Sequence, residues 1–349
     1  MKRNLSFLCL FLVFHVLFYS CATTKFYGEL TTPEESGLNM TRITDENSSV
    51  YGPRIDYGIT TIERRWVGGL ILGSYQNVAV TTERDRVNCV TVKCLALSPD
   101  GKELAYLSDI SDKVTLCVRS TGGGTQVTQR SQKSANSVFW GTDEKLYFGC
   151  YIDNTYVAIC GVNSHSGSAM KQYTSNNHDC NPALSSDGKR LLFERVQDGE
   201  SSIWCYDIAT STLTLCCQGE CPTPVNESGT QILCSRKNNG REAIWLIDYE
   251  KGEETLILAA DDKDYSCPVL SPDKQWILCQ GSSYSSYIEK NQIDIFCVKM
   301  DGTQLTHLTT HPCHDVNPVW SSDGKYIYFL SQRGSKEHKY AIWRMNFNL

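Results

Sequence analysis

The chain has 349 residues and 17 cysteines but no Cys-x-x-Cys pair, which argues against a zinc ribbon. It lacks any Gly-x-Ser-x-Gly segment, so the nucleophile elbow of an α/β-hydrolase is missing. It has no excess of positive charge. With 33 Lys and Arg against 39 Asp and Glu the net charge is −6, which excludes the basic footprint of a nucleic-acid binder. Its longest apolar run, Leu5 to Phe18, is shorter than the ~20 residues that span a bilayer comfortably.

What the chain does have is a recurring turn. Leu97-Ser98-Pro99-Asp100-Gly101-Lys102-Glu103-Leu104 returns at Leu184 to Leu191 and Trp320 to Ile327, and without its Gly at Leu270 to Ile277. Worn copies lie around Asp143 and Ser228. Pro presets the first turn angle, Asp bonds the turn backbone, and Gly takes the left-handed position. Apolar alternation on either side reads as half-buried strands. The anchors at 100, 143, 187, 228, 273 and 323 are 43, 44, 41, 45 and 50 residues apart. A four-stranded repeat of ~40–50 residues is the signature of a β-propeller blade. The expected fold is all-β, a six-bladed propeller of four-stranded blades. The last repeat ends at Ala341 to Asn346 without an outer strand, so an N-terminal strand, Gln76 to Thr82, is expected to close the final blade.

Three parts follow: a signal peptide over 1–20, a lipid-anchored flexible tether over 21–70, and a propeller over 71–349. Lys2 and Arg3 precede the apolar run, as in an export signal. Leu17 and Ser20-Cys21-Ala22 resemble a bacterial lipoprotein signal with a loose lipobox. That resemblance implies Cys21 as the lipidated first mature residue. Ala22, where Asp would retain a lipoprotein in the inner membrane, implies the periplasmic side of the outer membrane.

Register across the copies separates scaffold from surface. The third strand reads Ile203-Trp204, Ile244-Trp245 and Ile342-Trp343, and the tryptophans read as plugs between blades. Cys117, Cys160, Cys205 and Cys297 share one repeat position, Cys234 and Cys279 another, and both groups read as small buried hydrophobes. Cys180, Cys221 and Cys267, with Cys89 and Cys313 slightly earlier in register, fall where the chain enters the innermost strand. Export to an oxidising compartment would permit disulfides there, while the spacing of neighbouring blades, set against the Cα separation of ~4.4–6.8 Å that a disulfide needs, favours thiols over bridges. The 15 cysteines outside the leader and cleavage site form an odd set, so at least one stays a thiol.

His178-Asp179-Cys180-Asn181-Pro182 and His314-Asp315-Val316-Asn317-Pro318 are copies of one lead-in loop, with Asp264 and Asp85 in related positions. Together His178, Asp179, Asn181, Asp264, His314, Asp315 and Asn317 mark one mouth of the channel. A His/Asp/Cys cluster there has ligand chemistry for a metal, with His311-Pro312-Cys313-His314 as the best run. Repetition favours a plainer role, in which Asp braces the loop and Pro starts the strand.

The pattern Asp…Asn-Pro-x-Leu/Trp-Ser-x-Asp-Gly-Lys-x-Leu/Ile-x-Phe, then Ile-Trp, resembles the TolB-type propeller repeat over residues 76–349. The resemblance implies a propeller in the bacterial envelope that holds a peptidoglycan-associated protein. Only about 50 residues separate Cys21 from the first strand, too few for the N-terminal α/β domain of TolB itself. Oligogalacturonate lyases use similar repeats with a metal held by histidines.

The expected function is that of a non-enzymatic, lipid-anchored envelope scaffold that binds a protein or cell-wall partner. It needs no cofactor, and is monomeric. The expected partner-binding face is built from long polar loops between second and third strands: Arg195–Ser201, Arg236–Glu242, Gly281–Gln292 and Gln332–Lys339. These loops carry Arg236, Lys237, Arg241, Tyr284, Tyr287, Arg333, Lys336 and His338, residue types that anchor interfaces. The alternative is a metal-dependent polysaccharide lyase or hydrolase at the channel mouth, built from His178, Asp179, His314 and Asp315.

Overall fold

The computed structural model describes residues 30–44, 50–51, 60–67, 74–81 and 92–348, except 111–112, 124–126, 132, 153–155, 167–168, 176, 284–291 and 336–338. Among these, almost all regular structure is β, and no helix is long and apolar enough to cross a membrane.

The repeated turn is built from its own side chains. Ser98 Oγ donates to Asp100 Oδ1 at 2.7 Å and accepts the Glu103 N–H at 2.9 Å, while the same Asp oxygen accepts the Lys102 N–H at 3.1 Å. Gly101 sits at φ 74°. Ser185 and Asp187, Ser271 and Asp273, and Ser321 and Asp323 repeat the arrangement. Where the glycine is absent, Lys274 takes the left-handed position at φ 61°.

Each turn joins the first two strands of a four-stranded antiparallel unit, and the described residues form six such units. The first holds Leu95–Leu97, Glu103–Ile110, Lys113–Ser120 and Val127–Gln129. The second holds Ala135–Trp140, Lys145–Tyr151, Val157–Asn163 and Lys171–Gln172. The third holds His178–Leu184, Arg190–Gln197, Glu200–Asp207 and Leu213–Gln218, and one parallel bridge from Val157 to His178 joins it to the second. The fourth holds Glu220–Pro224, Gln231–Asn238, Arg241–Asp248 and Glu253–Leu258. The fifth holds Lys263–Leu270, Trp276–Ser283, Gln292–Lys299 and Thr306–His307. The sixth holds Asp315–Trp320, Tyr326–Ser331 and Ala341–Asn346, with Thr41–Arg42 as its outer strand. Asn317 Oδ1 accepts the Cys94 N–H, which connects the sixth unit back to the first.

The core lies between units. In the third strands Leu116, Ile159, Ile203, Ile244, Ile295 and Ile342 are all fully buried. Trp343 is buried as expected, whereas Trp204 and Trp245 are half-buried under arginines, Arg195 at 4.8 Å and Arg236 at 4.3 Å from the ring centres. In the third and fourth units the fully buried plug is therefore the Ile, and the Trp packs against the core while also carrying a cation. Cys117, Cys160, Cys205, Cys234, Cys279 and Cys297 are buried in the sheets.

An N-terminal strand does complete the last unit, but it is not the expected one. Thr41 and Arg42 pair with Arg344 and Trp343, and the Ile43 N–H donates to the Ile342 carbonyl at 2.8 Å. Ser74–Thr81, which contains most of the expected closing strand, pairs instead with Thr60–Val67 as a hairpin. The adjacent alternating segment Thr60–Val67 satisfies its backbone locally, with no long loop to close.

The stretch read as a free tether is docked in its middle. Pro33–Leu38 forms a short 3-10 turn with Glu35 buried beneath it. Val50 bridges Ser108 of the first unit and Tyr340 beside the sixth, and Arg119 Nη2 donates to the Ile43 carbonyl at 3.0 Å. Residues 33–44 and 50–51 thus strap the seam between the two ends of the array.

Candidate functional site

Two places gather chemistry: the polar hub where innermost strands converge, and the rim of hairpins between second and third strands.

The hub begins with a repeated bulge. Asn181, Cys221, Cys267 and Asn317 have φ 49°, 53°, 53° and 53°, and each precedes a proline. At each one the pairing register of the innermost strand slips. The bulged N–H leaves the ladder and needs an acceptor. The preceding unit supplies it every time. Ser137 Oγ takes the Asn181 N–H at 3.0 Å, and Glu194 Oε2 the Cys221 N–H at 3.1 Å. Ser235 Oγ takes the Cys267 N–H at 3.0 Å, and Gln280 Oε1 the Asn317 N–H at 2.7 Å.

Lys93 ties these together. Its N–H donates to Asn181 Oδ1 at 2.8 Å, and its ammonium reaches Thr223 Oγ1 at 3.0 Å and the Pro222 carbonyl at 3.2 Å. One residue ahead of the first unit therefore holds the third through its main-chain N–H and the fourth through its ammonium. Glu194 is fully buried, with Asn181 Nδ2 at 2.8 Å and Ser201 Oγ at 2.9 Å besides the Cys221 N–H. Burial pushes its carboxyl above the usual range. The cavity lined by Lys93, Cys267 and Asn317 is only about 20 Å³, room for one water.

The residues expected at the channel mouth do not stay together. Asn181 and Asn317 belong to the hub. Asp179 and Asp315 are buried in ion pairs: Arg195 grips both Asp179 oxygens at 2.7 and 2.9 Å, and Arg333 Nη2 meets Asp315 Oδ2 at 2.5 Å. Asp264 lies at the rim, accepting the Glu242 N–H at 2.9 Å and Arg241 Nη1 at 3.2 Å. Of the histidines, His178 is exposed, whereas His314 is buried and its Nδ1 accepts the Ile293 N–H at 3.3 Å. In the His311 to His314 run, His311 Nδ1 accepts the Cys313 N–H at 3.2 Å. No group of three or more His, Cys, Asp or Glu among the described residues could hold a metal ion.

The rim differs from expectation in two ways. First, two loops expected to be long are two-residue turns. Asp198-Gly199 (φ 54° and 80°) and Asn239-Gly240 (φ 52° and 85°) close hairpins whose strands run through Gln197 and Asn238. These dipeptides favour the left-handed angles that such turns require. Arg236, Lys237 and Arg241 therefore stand on strands. Second, Arg333 is no surface anchor: its side chain has no exposure and is held between Glu35 and Asp315. It enters the interior because two carboxylates there match its donors. Arg236 is engaged as well, bidentate with Glu254 at 2.8 and 2.7 Å.

Lys237 is exposed, and Arg241 is partly so beside an open cleft of about 280 Å³ lined by Asn238, Asn239, Ala259, Ala260 and Asp261. Tyr284, Tyr287, Lys336, His338, Asp85, Cys89 and Cys21 lie outside the described residues.

Sequence reasoning missed Lys93, Glu194, Gln280 and Glu35. One signal was available. Glu194, Ser235 and Gln280 occupy the position after Phe193, Cys234 and Cys279, the first polar residue after a run of at least three apolar residues in each strand. The cysteine geometry also departs from expectation: Cys221 Sγ and Cys267 Sγ, from neighbouring units, lie 3.0 Å apart.

No protein-family model matches the chain, and no curated protein does. Solved structures do. A protein assigned as TolB from Agrobacterium tumefaciens superposes with a TM-score of 0.56 at 18% identity, over 74% of this chain and 90% of that one. TolB from Acinetobacter baumannii gives 0.55 at 16%, over 72% of this chain; the match spans 65% of that longer protein. An oligogalacturonate lyase from Vibrio parahaemolyticus gives 0.51 at 13%, over 89% and 97%. Likeness at these identities is one of architecture. With its antiparallel four-stranded units, its repeated Ser-x-Asp turn and these neighbours, the chain has a TolB-like β-propeller fold.

Proposed function

We propose that the chain is a non-enzymatic binding scaffold of the cell envelope, anchored by lipid at Cys21, whose hairpin rim takes a protein or cell-wall partner. The observation that carries this reading is the open cleft of about 280 Å³ beside Arg241, with exposed Lys237 on the same hairpin. An arginine and two asparagines around a recess, with an exposed lysine on the same hairpin, suit an acidic or polar macromolecular surface. Tyr284, Tyr287, Lys336 and His338 would extend that rim. The TolB-like fold supports a binding role and an envelope location, and a peptidoglycan-associated protein is a fitting partner class. Eleven residues lie between Cys21 and Pro33, so a lipid there would hold the docked strap within about 40 Å of the membrane.

The test is capture from solubilised envelope, with wild-type protein and a Lys237→Glu/Arg241→Glu variant as parallel baits. Loss of a protein or glycan by the variant, at unchanged melting temperature, supports the rim. Equal capture by both baits removes it from consideration.

The lyase or hydrolase reading draws on the Vibrio structure and would place its groups at His178, Asp179, His314 and Asp315. Asp179 and Asp315 are already held by arginines, which favours a bracing role for them. Stoichiometric metal in purified protein, with cleavage of oligogalacturonate, would revive the enzyme reading.

A further inference from the structure

Cys221 and Cys267 occupy one repeat position in neighbouring units. Both are bulged at φ 53°, both precede proline, and both are buried. The equivalent residue of other units reaches across a seam. Asn181 Nδ2 donates to Cys221 Sγ at 3.4 Å, from the third unit to the fourth. Asn317 Oδ1 accepts the Cys94 N–H, from the sixth to the first. Between the fourth and fifth units the crossing atoms are two sulfurs, 3.0 Å apart. That is closer than the roughly 3.5–4.0 Å preferred by non-bonded heavy atoms, and about 1 Å longer than a disulfide bond.

We propose that Cys221 and Cys267 are a disulfide site, a covalent seam between neighbouring units at the hub. The backbone is already fixed for it: Glu194 holds the Cys221 N–H and Ser235 the Cys267 N–H, so the two Cβ atoms are presented by braced bulges. The chemistry is thiol–disulfide exchange with a disulfide oxidant, such as glutathione disulfide or a protein disulfide. One thiolate attacks the oxidant's disulfide, forming a mixed disulfide and releasing one oxidant thiol. The second thiolate attacks the protein sulfur of that mixed disulfide. The Cys221–Cys267 bond forms and the second oxidant thiol leaves. Two electrons and two protons pass from the protein to the oxidant.

The timing follows from burial. Both thiols are sealed in the finished fold, and burial first, then the Cys267 sulfur, pushes the Cys221 thiol well above its usual range. A protonated, covered thiol is a poor nucleophile. Exchange therefore precedes closure of the seam, and the finished bridge resists reductants. It closes a loop across 46 residues of sequence separation, long enough for a substantial effect on the unfolded chain.

The experiment refolds the purified, reduced chain in glutathione buffer with excess glutathione disulfide, traps remaining thiols with iodoacetamide, and maps peptides without reduction. The expected result is a linked peptide pair joining Cys221 to Cys267 as the most populated bridge. Recovery of both cysteines as alkylated thiols, or in bridges to other cysteines, overturns the proposal. A second measurement compares melting after refolding with and without oxidant. Wild type is expected to melt about 5–10 °C higher when oxidised, and a Cys221→Ser/Cys267→Ser variant to lose most of that difference. An undiminished difference in the double variant also overturns the site. If the variant does not fold, the wild-type peptide map decides alone.

Discussion

Glu35 and Arg333 are 298 residues apart in sequence and form an ion pair at 3.1 Å that solvent does not reach. Glu35 also accepts the N–H groups of Thr310, His311 and Thr32 at 2.8, 3.2 and 3.1 Å. Arg333 in turn reaches Asp315 and the Leu30 carbonyl. A buried guanidinium with these partners fixes one docking position for the N-terminal strap.

Arg333→Ala should therefore cost about 3–5 kcal/mol, because it leaves two carboxylates buried without their cation. Urea unfolding of the variant measures this. A loss below 1 kcal/mol would mean the cluster is open to water.

The contrasting case is the Arg236–Glu254 pair, whose partners are 22% and 45% exposed. Screening reduces such a pair to about 0–1 kcal/mol. Glu254→Gln should shift the urea midpoint little, and raising salt should not shift it further. A large loss would show that Arg236 also depends on Glu254 to stay stacked on Trp245.

Asp315 gives a pH dependence of defined sign. Burial, opposed by Arg333, pushes its carboxyl up to about 6 from the ordinary 3.8. The folded state then binds more protons than the unfolded state between these values, so this residue's contribution falls as pH rises through about 4 to 6. The stability of wild type minus that of Asp315→Asn should decline over that window. A rising difference would mean the carboxyl is ionised throughout and held low by Arg333.

The bulge acceptors make a further test. Gln280→Leu removes the acceptor for the Asn317 N–H and Nδ2 at once. A buried donor left unsatisfied costs about 1–3 kcal/mol. Ser235→Ala, which strands the Cys267 N–H, should fall in the same range, whereas Lys237→Ala on the exposed face should be nearly neutral. Equal effects at all three positions would argue that water replaces the acceptors.

The local parts of this fold were readable from sequence because they are closed by neighbours. Ser98 and Asp100 make their turn within six residues, and the same residue types recur wherever the turn recurs. Buried cysteines such as Cys117 and Cys279 were placed by register alone. The hairpin turns at Asp198-Gly199 and Asn239-Gly240 were equally local but were obscured by polar flanks, which read as loop although they are strand ends. The hub and the strap were hidden for another reason. Lys93 meets Thr223 across 130 residues, and Glu35 meets Arg333 across most of the chain. In the sequence each is one charged residue among 72, with nothing beside it that names its partner.

The outer strand of the sixth unit has a kinetic consequence. Thr41 pairs with Arg344, so the contact forms only after nearly every intervening residue has left the ribosome. Once it emerges, the edge of Ala341–Asn346 is an unpaired template until Thr41–Arg42 docks on it, the kind of surface through which chains associate wrongly. Contacts this distant in sequence are slow to form because a very long loop must close first. Changes at Thr41 or Ile43 should therefore be felt first in how fast, and how cleanly, the molecule reaches its folded state.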